Sequence, residues 1–159
     1  ISLFKSAISA LANQASNYLM AGHVAKPLGT LHPNIAPYGD IFVSKDGQNL
    51  ILAIGSDAQF KKLWFSLGID EQYYHTFETN SERLSKRSEM QSILQGQIGK
   101  KGLVEIQQIF ELNNLPYCLI KDMGRVFEDS LAQSMVKSTK IGDITAKSVS
   151  NVAFEFPSF

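Results

Sequence analysis

The chain has 159 residues, 44% apolar and 19% charged, which suits a water-soluble globular fold of one domain or one and a half with room for a core. Lys plus Arg and Asp plus Glu both total 15, so no basic field recruits nucleic acid and no polybasic segment holds a membrane. A single cysteine, Cys118, excludes an internal disulfide framework.

In chain order, Leu3, Ala7, Leu11, Ala15, Tyr18 and Leu19 recur at helical spacing and predict one helix over residues 3 to 21. Its other face carries Ser6, Ser9, Asn13, Ser16 and Asn17, polar but uncharged, so both faces are expected to touch protein. Gly22 stops it. The abrupt apolar start at Ile1 and the alternating end at Phe159 read as cuts within a longer protein.

Residues 22 to 37 hold three of the five prolines and two glycines, the composition of a functional loop. Each proline fixes its own φ and biases its predecessor toward extended backbone, so His32 and Ala36 are held and the loop is stiff. A stiff loop loses little entropy in holding a binding shape. Tyr38 to Ser44 and Asn49 to Ile54 then read as a hairpin, because Asp46-Gly47 tolerates the positive φ of a tight turn. The unbroken apolar run Leu50 to Ile54 predicts a strand covered on both faces.

Ser56 and Gln59 have capping-box spacing and open a helix to about Leu67, with Phe60, Leu63, Trp64 and Leu67 on a core face and Gly68 ending it. Helices are predicted over residues 80 to 98 and 102 to 113, the second leaving through Asn113-Asn114. A short strand follows over residues 115 to 121, with Cys118 read as buried packing, and then a weaker helix from Asp122 to about Met135. The tail, with Gly142-Asp143 as a turn and alternation from Val149 to Phe156, reads as two strands.

The residues name no reaction. His23, His32 and His75 do not cluster with Cys or carboxylates at metal-ligand spacing, so no metal site is expected. Glycine-rich phosphate loops and a nucleophile elbow are absent. Asp57 suits a helix N-terminus better than catalysis. Lys61-Lys62 and Lys100-Lys101 read as solvated surface, with contact to a ligand phosphate as the minority reading.

The order and spacing of particular residues do carry a resemblance. Leu11-Ala-Asn-Gln-Ala15, Asn17-Tyr-Leu19, Gly22, Gly29 and His32-Pro-Asn-Ile-Ala-Pro-Tyr38 resemble the family III CoA-transferases, the carnitine and bile-acid-inducible group. The likeness continues through Phe42, Asp46-Gly47, Leu52-Ala-Ile-Gly55, Gln59-Phe60 and Leu67-Gly68, and more loosely at Asn80, Arg83, Arg87 and Leu115-Pro116.

The resemblance implies an α+β fold: a small mixed domain with an antiparallel hairpin and packed helices, preceded by a long helix of a Rossmann-like large domain. Residues 1–22 would be that helix, 23–37 the linker and active-site loop, 38–135 the small domain and 136–159 the return toward the large domain. It further implies transfer of CoA from an acyl-CoA donor to a carboxylate acceptor by the intact protein, a cytoplasmic interlocked homodimer with no permanently bound cofactor. The nucleophile would be an aspartate that forms mixed anhydrides, lying upstream of this segment, which alone would be inactive. The implied substrate-binding residues are Gly29, His32, Pro33, Asn34, Ala36, Pro37 and Tyr38.

Where relatives carry a glycine-rich loop, this chain has Pro33 and Pro37, which argues against a large loop movement. Tyr117 and Cys118 are bulkier than the small residues usual after the proline matched by Pro116. His32 has two readings, a hydrogen bond to substrate or a cap on the loop backbone. A 2-methylacyl-CoA racemase of the same superfamily and a non-catalytic interaction module remain as alternatives.

Overall fold

The structure, a computed structural model, describes residues 1–150. The expectation is an α+β fold with packed helices, and that is what these residues form.

The sheet is three antiparallel strands in the order β1-β2-β3, from Tyr38–Val43, Asn49–Ala53 and Tyr117–Leu119. Asp46-Gly47 makes the β1–β2 turn with Gly47 at φ 76°. The register slips between Tyr38 and Ile41, a bulge that contains Gly39 at φ 77°.

Alternation sends Asp40, Phe42, Leu50 and Leu52 inward to full burial. The helices lie over that face: α3 (Asp57–Ser66), α4 (Glu71–Tyr74), α5 (Asn80–Ser85), α6 (Arg87–Ile98) and α7 (Leu103–Leu112). Phe60, Leu63, Trp64, Phe77, Met90, Leu94, Ile98, Ile106 and Phe110 complete one contiguous core. The predicted box at Ser56 and Gln59 caps α3, and Gly68 ends its turn at φ 71°. A second box, Thr79 with Glu82, starts α5. Its Glu82 carboxyl sits below the usual glutamate range because the backbone N–H and then the hydroxyl of Thr79 bond it.

Several expectations are corrected. The helix predicted over 3 to 21 is two, α1′ (Leu3–Ala10) and α2′ (Ala12–Ala21), because Ala12 takes φ 45° and breaks the ladder. Residues 80 to 98 are likewise split at Lys86, whose φ of −117° and ψ of 31° leave the helical region. β2 is not covered on both faces: Ile51 and Ala53 face outward and are half-buried. Cys118 is exposed rather than packed, since strand alternation puts Tyr117 and Leu119 on the core side and Cys118 on the open side.

The weak helix after Asp122 is two short ones, α8 (Met123–Val126) and α9 (Ser130–Ser134). The tail hairpin turns at Gly142-Asp143 as expected, with β4 (Val136–Ile141) and β5 (Ile144–Val149) as its strands. The strand expected over Val149 to Phe156 lies almost entirely outside the described residues. Neither α1′ nor α2′ buries a residue, and Leu3, Phe4, Leu19 and Met20 stand open to solvent.

Candidate functional site

The loop from Gly29 to Gly39 lies across the start of β1 and against the α5–α6 pair. Gly29 turns the chain at φ 63° and is exposed. Ala36 and Pro37 are buried and joined by a cis peptide bond, while Asn34 and Tyr38 face solvent and His32 and Pro33 are half-buried. Gly39 is required by space as well as by φ. A Cβ there would stand 2.1 Å from the Thr30 carbonyl oxygen.

His32 is tied down at both backbone atoms. Its N–H donates to the Tyr38 carbonyl at 3.0 Å, and its carbonyl accepts from Arg87 Nη1 at 2.7 Å. The ring packs edge-on against Tyr38, with centroids 5.5 Å apart. Its Nδ1 accepts from the Asn34 N–H at 3.1 Å, which is the backbone cap among the two readings of this residue. With Nδ1 accepting, a neutral ring carries its proton on Nε2, which has no hydrogen-bond partner among the described residues and can donate to a ligand.

A row of side chains on α5 and α6 holds the rest of the loop. Asn80 Oδ1 accepts from the Ala36 N–H at 3.1 Å, and its Nδ2 donates to the Asn34 carbonyl at 2.8 Å. Arg83, almost fully buried, donates Nε to the Ala36 carbonyl at 2.6 Å and Nη1 to those of Phe77 and Glu78 at 3.1 and 2.8 Å. Its Nη2 meets Asp57 at 2.5 Å, and its guanidinium lies 4.5 Å from the centre of the Phe60 ring. Arg87 donates to both carboxylate oxygens of Asp40 and, through Nη2, to the Tyr38 carbonyl at 3.4 Å. Gln91 Nε2 adds a bond to Asp40 at 2.7 Å. Gln95 then bonds both the N–H and the carbonyl of Val43, at 2.9 and 2.8 Å, satisfying the free edge of β1 at that one residue as another strand would.

These five side chains fall at spacings of three, four, four and four, one continuous stripe along the helical pair. Asn80, Arg83 and Arg87 carry part of the sequence resemblance, but their common target does not show there. Asp40, Gln91 and Gln95 escape sequence reasoning altogether. The available signal is polar side chains at helical spacing on an otherwise core-facing helix.

All seven loop residues expected to bind substrate lie on this one segment, yet they do not play equal parts. The backbone of Ala36 is engaged by Asn80 and Arg83, and Pro37 is buried, so the reachable polar side chains among the seven are those of His32, Asn34 and Tyr38. Beside the loop a cleft of about 240 Å3 opens toward α2′, lined by Gln14, His23, Lys26, Leu28, Leu31 and Pro33.

Asp46, on the hairpin turn, accepts from the Ser44 hydroxyl and from the Leu103 N–H at 3.1 Å, anchoring the start of α7. The Ser44 hydrogen bond, aided by that of Leu103, holds the Asp46 carboxyl below the usual aspartate range. Among the described residues no group of three His, Cys, Asp or Glu is placed to hold a metal ion, and no helix is long and apolar enough to cross a membrane.

A family model described as CoA-transferase family III matches residues 1–157. The succinate–glutarate CoA-transferase of Agrobacterium fabrum is 36% identical over 129 residues, which is 78% of this chain and 31% of that protein. The human succinyl-CoA:glutarate CoA-transferase is 30% identical over 128 residues, 80% of this chain and 29% of that one. The chain thus spans about a third of the length of the curated relatives it matches. A crystal structure of a CAIB/BAIF family protein from Brucella suis superposes with a TM-score of 0.70 at 30% identity, covering 94% of this chain and 38% of that one. A Mycobacterium tuberculosis crystal structure shares the fold at a TM-score of 0.74 and 18% identity, over 100% of this chain and 41% of that one.

Proposed function

The chain belongs to CoA-transferase family III, and from that premise we propose that the complete protein moves CoA between carboxylic acids, with this segment forming one wall of the active site. The observation that carries the reading is the 36% identity to a succinate–glutarate CoA-transferase across 78% of the chain. Acyl-CoA and a carboxylate are then the substrates, and CoA enters and leaves with them rather than staying bound as a cofactor.

In the proposed chemistry, an aspartate carboxylate upstream of this segment attacks the thioester carbonyl. The C–S bond breaks, CoA departs as the thiolate, and a mixed anhydride forms on the aspartate. The dispositions of Asp40, Asp46 and Asp57 support a nucleophile from elsewhere. Asp40 is buried under Arg87 and Gln91, Asp46 anchors Ser44 and Leu103, and Asp57 pairs with Arg83. An anhydride is destroyed by water, so the enclosing wall matters as much as the nucleophile. The Gly29–Gly39 loop is assigned that role, with His32 Nε2, Asn34 and Tyr38 turned to the acyl group and with Gly29, Pro33, Ala36 and Pro37 shaping the backbone.

Residues 1–22 are assigned to the large domain and 23–37 to the linker and loop. Residues 38–135 form the small domain and 136–159 the return. The exposed Leu3, Phe4, Leu19 and Met20 support the first assignment, because a lone helix pair does not leave such a stripe open in water. A cytoplasmic homodimer is part of the same reading.

The test is CoA transfer from succinyl-CoA to glutarate and other dicarboxylates by the complete protein, with transfer expected. Failure with every acceptor, together with scrambling at the α-carbon of a 2-methylacyl-CoA, makes the protein a racemase instead. His32→Ala is expected to raise the acceptor KM, and unchanged kinetics remove that residue from the site.

A further inference from the structure

We propose that Arg87, seated on the buried carboxylate of Asp40, is a positioning residue that holds the His32–Tyr38 segment shut as a fixed wall, so that CoA transfer outcompetes hydrolysis. The inference rests on the transferase reading above and deepens it.

One guanidinium here spans both ends of the loop. It donates to the His32 carbonyl at 2.7 Å and to the Tyr38 carbonyl at 3.4 Å, the same two residues whose backbones also bond each other at 3.0 Å. Arg87 cannot swing away cheaply, because Asp40 has no exposure and its charge would be left unpaired in the interior. The middle of the loop is held by neighbours on the same stripe, through Asn80 at Asn34 and Ala36 and through Arg83 at Ala36.

Residues 32, 34, 36 and 38 are therefore each tethered, while the prolines between them lack an N–H that opening would expose to water. Opening at either end of the segment must break Arg87's contacts. Lysine is no substitute, since a point charge neutralises Asp40 but cannot reach two carbonyls at fixed angles.

The test uses the complete protein and its Arg87→Gln, Arg87→Lys and Asp40→Asn/Arg87→Gln variants. The double variant leaves no unpaired charge should the single one fold badly. Two quantities are read: amide exchange at His32, Asn34 and Ala36 against Leu50 and Leu52, and CoA transferred per acyl-CoA hydrolysed. Loop amides are expected to exchange at least about tenfold faster in all three variants while β2 stays protected. The transfer-to-hydrolysis ratio is expected to fall about tenfold, with the acyl-CoA KM moving by less than about threefold. Arg87→Lys is expected to restore folding stability but not the ratio.

Unchanged loop exchange overturns the tether. Faster loop exchange with an unchanged ratio overturns the shielding role alone, as does full rescue of the ratio by lysine. Absence of transfer in the unmodified protein overturns the proposed function and the shielding role with it, while the exchange data still decide the tether.

Discussion

Replacing Arg83 with methionine separates two ways in which a buried cation can hold a fold. Arg83 is almost fully buried and donates to the carbonyls of Ala36, Phe77 and Glu78, with Asp57 as its carboxylate partner among the described residues. Asp57 is 58% exposed, so water screens that pair and its net worth is below about 1 kcal/mol. The carbonyls are different. Ala36 and Phe77 are buried, and each acceptor stripped of its donor costs about 1–3 kcal/mol.

Loss of the guanidinium over Phe60 adds about 1 kcal/mol. Methionine recovers some packing and removes the cost of burying a charge. The balance is a loss of about 3 kcal/mol for Arg83→Met, against about 1 kcal/mol or less for Asp57→Asn, whose amide oxygen still accepts. Urea unfolding followed at the single tryptophan, the fully buried Trp64, reads the difference. With a slope of about 2 kcal/mol/M, the midpoint falls about 1.5 M for Arg83→Met and under about 0.5 M for Asp57→Asn. Equal shifts for the two variants would show that the ion pair, not the carbonyls, is what Arg83 supplies.

Gly39→Ala places a Cβ 2.1 Å from a backbone oxygen at φ 77°, so the loop must move. Amide exchange at His32 rises and transfer activity falls by more than about tenfold, and a wild-type-like variant refutes the close packing. Asp46 and Glu82 both titrate below their unfolded values, so each stabilises the fold above the unfolded pKa and ceases to do so as pH falls through the folded one. Urea midpoints therefore drop below about pH 4, and Asp46→Asn flattens that slope. Cys118 on the open sheet face reacts with a maleimide in the folded chain, whereas labelling only in denaturant returns it to the core.

Local structure was legible wherever one short-range rule decides it. Ser56 with Gln59, Gly47 in its turn and the positive φ at Gly22, Gly68 and Asn114 all follow from capping and turn chemistry within a few residues. The loop itself was legible for the same reason, since Pro33 and Pro37 act on their own neighbours. Sequence reasoning failed where burial is set by a partner surface. Ile51, Ala53 and Cys118 look like core residues, but a three-stranded sheet with helices on one side leaves its other face open. Breaks at Ala12 and Lys86 were hidden because neither residue forbids a helix.

From the sequence came the element types, the proline-bearing Gly29–Gly39 loop and the family resemblance. Only the tertiary structure decided what the loop rests on. Asp40 and Arg87 are 47 residues apart, and Asn80 lies 44 from Ala36. Hydrogen bonds at that separation carry no local signature, because they arise only once the sheet and helices have brought a buried carboxylate and a helical stripe together.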